Sequence, residues 1–125
     1  GICYDQVEFA RYWFISHGYD VRTYYEQMGE SIDSSHAFIA YYDKDYDNKW
    51  KWFETTWRNQ MGIHEYRSLD ELIRCSESLY LNEMLRDRVY NKGDYVLWDF
   101  DTPRRHSSLD KYLDNVTSGK ILSLK

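Results

Sequence analysis

From Cys3 to His17 apolar residues recur at helical intervals, with Val7, Ala10 and Phe14 on one line and Phe9 and Trp13 on another. Gly18 follows where a left-handed residue would end a helix. A first helix starting at Cys3 is predicted. Tyr19 to Gln27 is rich in Tyr, Val and Thr and reads as a strand, and the polar stretch Gly29 to Ser35 reads as a loop. Two further strand-like runs, His36 to Tyr42 and Lys49 to Trp57, flank Asp43-Lys44-Asp45-Tyr46-Asp47-Asn48, whose Asp and Asn content suits a hairpin turn.

A turn centred near Asp45 sets Tyr42 opposite Asn48, Ala40 opposite Trp50, Phe38 opposite Trp52 and His36 opposite Glu54. Side chains alternate along a strand, so His36, Phe38 and Ala40 then share a face with Trp50, Trp52 and Glu54, and a slip of one residue would separate the His from the carboxylate.

In the second half, Gly62 to Arg67 reads as a strand. Ser68-Leu69-Asp70-Glu71 has the Ser cap and third-position carboxylate of a helix start, and that helix is predicted to run toward Arg88 with a break through Ser76 to Tyr80. Asn91-Lys92-Gly93 is a turn, Asp94 to Asp101 alternates as a strand, and Pro103 ends it. Ser107 or Ser108 caps a last helix through Val116, closed by Gly119. There is no internal repeat and no linker, so 1–125 reads as a single α+β domain.

Composition narrows the partners. Net charge is -5 and no Lys/Arg run could neutralise a series of phosphates, so neither nucleic acid nor a membrane surface is expected as a partner. The longest apolar runs, such as Tyr12 to Ile15 and Ala37 to Tyr42, fall far short of the roughly 20 residues that span a bilayer. Two cysteines, Cys3 and Cys75, make no disulfide framework, which points to a reduced, cytoplasmic setting. The chain opens at Gly1 without an initiator Met and runs straight into patterned sequence, so a domain shortened at its N-terminus is the expectation.

Chemistry concentrates on three residues. Unpaired backbone N–H groups at a helix start favour a thiolate, which is where Cys3 stands. A His beside the sulfur can take its proton and return it to a leaving group, while a carboxylate on the other ring nitrogen fixes the tautomer. His36 and Glu54 fit those two roles. The Cys3 backbone N–H is one oxyanion donor, with Gln6, Trp57 and Tyr25 as polar candidates for the other.

The order Gly1-Ile2-Cys3-Tyr4-Asp5-Gln6 opening a helix, His36-Ala37-Phe38 opening a strand and Trp52-Phe53-Glu54-Thr55-Thr56-Trp57 closing the next resembles the core of transglutaminase-like proteins, over roughly the first half of the chain. That family is a circularly rearranged relative of papain that includes transglutaminases, peptide N-glycanases, proteases and uncharacterised bacterial proteins. Its acid is most often Asp, where Glu54 stands here. The resemblance implies a papain/transglutaminase-like fold, with an N-terminal helix bearing Cys3 packed on an antiparallel sheet and further helices in the C-terminal half. It also implies a catalytic Cys3-His36-Glu54 triad acting through a thioester on a protein or peptide substrate, without a cofactor.

Other readings compete. The fold can persist as an inactive domain that binds a peptide or partner through an aromatic wall of Phe38, Trp50 and Trp52, which are also the substrate-binding candidates of an active enzyme. Zinc on Cys3, His36 and Glu54 or His64 is disfavoured because no paired Cys or His spacing is present. A sugar platform of Trp50, Trp52, Trp57, Tyr41 and Tyr42 is less natural than a core role for those rings. His17, His64 and His106 have no assembled partners, Cys75 reads as a small buried hydrophobe, and Asp43, Asp45 and Asp47 lack the Gly and terminal Glu of a calcium loop.

Overall fold

A six-stranded antiparallel sheet runs through the computed structural model, which describes residues 3–29, 35–43, 45, 48–86, 95–100 and 108–122, without the side chains of residues 3–5. In chain order the elements are α1 (Cys3–Ser16), β1 (Asp20–Met28), β2 (His36–Tyr42), β3 (Trp50–Glu54), β4 (Gly62–Tyr66), α2 (Leu69–Arg86), β5 (Tyr95–Phe100), α3 (Leu109–Thr117) and β6 (Lys120–Leu122), with a short 3-10 turn at Arg58–Gln60. The sheet order is β4-β3-β2-β1-β5-β6. The architecture is α+β, with three α-helices among the described residues.

Alternation along the central strands decides which helix covers which face. Tyr24, Phe38, Ala40, Trp52 and Leu97 point to one side and pack with Leu72 and Ile73 of α2. Ala37, Ile39, Tyr41 and Tyr25 point to the other, where Val7, Ala10 and Phe14 of α1 and Tyr112 and Val116 of α3 meet them. Both faces of β1 and β2 are thus covered, and these strands carry apolar side chains on both sides.

α1 ends at Gly18, whose φ of 87° lies in the left-handed region where glycine has no Cβ penalty. Only one of its two predicted apolar lines is buried: Phe9 is 70% exposed and Trp13 44%. Ser68 caps α2 by accepting the backbone N–H of Glu71 at 3.1 Å. The helix runs unbroken through Ser76, whose hydroxyl donates back to the Ile73 carbonyl at 2.9 Å and so needs no partner outside the helix. Ser108 is the α3 cap, accepting from the Lys111 N–H at 3.2 Å. The turn expected at Asn91-Lys92-Gly93 and the stop at Pro103 lie outside the described residues.

β6 had no signal in the sequence. Three residues are too few to show alternation, and the strand is placed by Gly119, where any Cβ would collide with the Asp99 carbonyl oxygen. Among the described residues no helix is long and apolar enough to cross a membrane.

The β2–β3 pairing differs from expectation in register. Tyr42 faces Trp50, Ala40 faces Trp52 and Ile39 faces Phe53, a shift of two residues from a turn centred on Asp45. An even shift leaves every side chain on its predicted face, so His36 and Glu54 still share one surface as diagonal rather than direct neighbours.

Candidate functional site

His36 begins β2 at the end of the sheet, on the α2 face, and is 8% exposed. Its Nε2–H donates to Glu54 Oε1 at 2.7 Å and its Nδ1–H donates to Glu26 Oε2 at 2.9 Å. A carboxylate only accepts, so two carboxylates on one ring make it an imidazolium with a proton on each nitrogen. Around it Phe38 and Tyr80 lie nearly parallel to the ring at centroid distances of 5.6 and 6.5 Å, and Trp57 meets it edge-on at 5.4 Å.

Glu54 is placed by the end of β3, where the chain leaves the sheet and turns its amides inward. Its Oε2 accepts the backbone N–H groups of Thr56 at 3.0 Å and Trp57 at 2.9 Å, and Trp52 Nε1–H donates to Oε1 at 3.2 Å. Burial opposes ionisation of this carboxyl, but the hydrogen bond and charge of His36 and the two backbone donors hold it below its ordinary range.

Glu26 is the component that sequence reasoning missed. It stands directly across from His36 in the β1–β2 register, is fully buried, and accepts the Tyr95 hydroxyl at 2.9 Å through Oε1. The signal was its place two residues after Tyr24 and two before Met28, on the face those residues bury. The long polar loop before β2 fixes no register, so nothing in the sequence paired it with His36. Burial pushes the Glu26 carboxyl up, with His36 and Tyr95 acting against that rise.

Burial works against charge on His36 too, yet the hydrogen bonds and charges of Glu26 and Glu54 push it up to about 10. A folded-state value raised above the unfolded one stabilises the fold fully below about 6.5, and that contribution is lost as pH climbs through about 10. Urea denaturation should therefore show wild-type stability falling between about pH 7 and about pH 10 while a His36→Gln variant stays nearly flat. Parallel pH profiles for the two proteins would contradict an imidazolium at this position.

Cys3 opens α1, and α1 runs along β2 with Val7 beside Tyr25 and Ala37 and Phe14 beside Tyr41. The helix start therefore lies toward the same end of the sheet as His36, although the buried line of α1 packs on the opposite face from the imidazole. His36 and Glu54 are brought together; the Cys3 side chain lies outside the described residues.

The expected aromatic wall of Phe38, Trp50 and Trp52 is not an exposed surface. Phe38 and Trp52 are 1% and 0% exposed and belong to the core against α2, leaving no surface for a substrate, while Trp50 packs partly buried against that core and Tyr42. They are buried because an antiparallel strand pair covered by a helix turns its even-numbered rings inward. His64, a zinc alternative, stacks on Trp52 at 4.4 Å and bonds the Gln60 carbonyl, and no metal-binding cluster occurs among the described residues. Of the oxyanion candidates only Trp57 adjoins His36. Its Nε1 is buried without a partner among the described residues, whereas the Tyr25 hydroxyl donates to Gln27.

An open apolar cavity of about 490 Å³ lies on the α1 face, between α1 and the β3–β4 edge. Phe9, Trp13, Phe14, Tyr41, Phe53 and Ile63 supply most of its lining, with Gln6 and Thr55 as polar groups. No family model matches the chain, and no curated protein or solved structure does.

Proposed function

We propose that this chain is a cysteine-dependent acyl-transfer or amide-hydrolysing domain with a papain/transglutaminase-like core. The Cys3 thiolate attacks a carboxamide or peptide carbonyl, and the carbonyl oxygen takes the negative charge beside the backbone N–H groups of the α1 start. His36 gives its proton to the leaving amine, a thioester forms on Cys3, and water or an amine then takes the acyl group. Glu54 orients His36 throughout. The observation that carries the reading is the His36 Nε2–Glu54 contact at 2.7 Å, with Glu54 itself fixed by two backbone N–H groups, which is how an orienting acid must be held.

The decisive measurement is the alkylation rate of Cys3 against Cys75 with iodoacetamide, resolved by peptide mass spectrometry across pH. Cys3 is expected to label about tenfold faster than Cys75 near neutral pH, and His36→Ala should remove that advantage. Equal, slow labelling of both thiols, unchanged by the substitution, overturns the reading. Amine incorporation and peptide cleavage assays then divide transferase from hydrolase.

A second reading, an inactive domain that binds a peptide or protein, is favoured by the aromatic cavity and by the exposed Phe9, Trp13 and Ile63 around it. It predicts the slow, His36-independent labelling just described.

A further inference from the structure

We propose that the cavity between α1 and the β3–β4 edge is a binding site for an uncharged aromatic small molecule of about two or three rings. Neither Cys3 nor His36 takes part, so this site and the acyl-transfer reading stand or fall separately.

The cavity exists because α1 does not reach across the whole sheet. Its buried line, Ala10 and Phe14, packs on Ile39 and Tyr41 of β2. β3 and β4 continue the same face through the paired Phe53 and Ile63, and a hollow opens there between the helix and the strand edge. Its volume of about 490 Å³ lies in the range of small-molecule sites.

The floor is built in advance. Phe14 stacks on Tyr41 with ring centroids 4.1 Å apart and meets Tyr19 and Phe53 edge-on at 5.3 and 5.9 Å, so the rings hold one another in place before any guest arrives. On the wall, Trp13 is braced by His17, which stacks on the indole at 4.0 Å and donates to the Trp13 carbonyl through Nδ1–H at 2.7 Å. Ring faces and ring edges at this density favour a flat aromatic guest, which gains stacked and edge-on contacts beyond simple area burial.

Charge decides the rest. Among the described residues no lining side chain is charged. An anion would give up its hydration with no cation to receive it, in a chain of net charge -5. A cation, which bare rings would otherwise attract, meets Lys51, whose Nζ already lies over the Tyr41 ring at 5.9 Å. The Gln6 carboxamide and the Thr55 hydroxyl are neutral and have no hydrogen-bond partner among the described residues, so they can take a neutral polar group on the guest.

The test is binding of N-phenyl-1-naphthylamine, an uncharged probe that fluoresces in apolar surroundings, to the whole chain. It should bind one to one with a Kd below about 100 μM. The same skeleton carrying a sulfonate, 8-anilino-1-naphthalenesulfonate, should bind at least about tenfold more weakly. As competitors, tert-butylbenzene should displace the probe at least about fivefold more effectively than its cationic isostere phenyltrimethylammonium. Phe9→Ala and Ile63→Glu, both at exposed positions, should each weaken the probe by at least about fivefold with circular dichroism melts unchanged. Ile121→Ser, at an exposed apolar residue on the opposite edge of the sheet, should leave it unchanged. Binding at several sites per chain, or binding indifferent to both Phe9→Ala and Ile63→Glu, overturns the site. Equal affinity for the sulfonate or the ammonium ion overturns the uncharged guest and the proposal with it. A chain that sediments as a dimer, and as a monomer in the Phe9→Ala variant, has a second copy in the hollow and overturns it as well.

Discussion

Replacing Glu54 with alanine is expected to cost about 3–5 kcal/mol of folding stability, because it leaves the buried imidazolium of His36 with one counter-charge and strips the Thr56 and Trp57 amides of their acceptor. Glu54→Gln should cost less. Its amide oxygen can still accept the backbone N–H groups, but its NH2 cannot accept from the ring. The order Ala worse than Gln, read from urea denaturation of both, separates loss of an acceptor from loss of a charge. A cost below about 1 kcal/mol for Glu54→Ala would mean that the carboxylate is solvated and that the contact with His36 is not maintained in solution.

The second large effect concerns the aromatic residues. Trp52→Ala should cost about 3–5 kcal/mol, since a wholly buried indole leaves a cavity among Phe38, Ala40 and Leu72 and also withdraws a donor from Glu54. Trp50→Ala, which removes a partly buried ring at the start of β3, should cost well under half as much. A ligand-binding Trp52 would tolerate truncation while losing binding, and a core Trp52 will not. Equal, small losses for the two tryptophans would return both to the surface.

How much of this was legible beforehand depends on the kind of signal. α1, β1, β2, β3, β4, α2, β5 and α3 follow from periodicity, strand-forming composition and caps, because Val7-Ala10-Phe14 spacing, the Tyr, Val and Thr content of 19–27, the Ser68 and Ser108 caps and the alternation from Tyr95 to Phe100 are local properties of the chain. The His36–Glu54 meeting was legible for a subtler reason: strand faces depend only on parity, so an error of two residues in the β2–β3 register left the pair intact. What was not legible is long-range. Glu26 and Tyr95 reach His36 through strand pairings across loops with no defined turn chemistry. The burial of Phe38 and Trp52 depends on α2 returning over that face, and the exposure of Phe9 and Trp13 depends on no element covering the outer line of α1 among the described residues. Periodicity names the line that can be buried; the topology chooses which one is.

The Glu26–His36–Glu54 arrangement also has a mechanical meaning. β1 and β3 never pair, yet both are fastened to one ring carried by the strand between them, so the imidazole acts as a crossbar over three strands at one end of the sheet. Peeling the β3–β4 edge away therefore breaks a bond that β1 and β5, through Tyr95, help to hold in place. Fraying at that end is shared across the sheet and does not stop at its rim, and any event that loosens the crossbar loosens four strands at once.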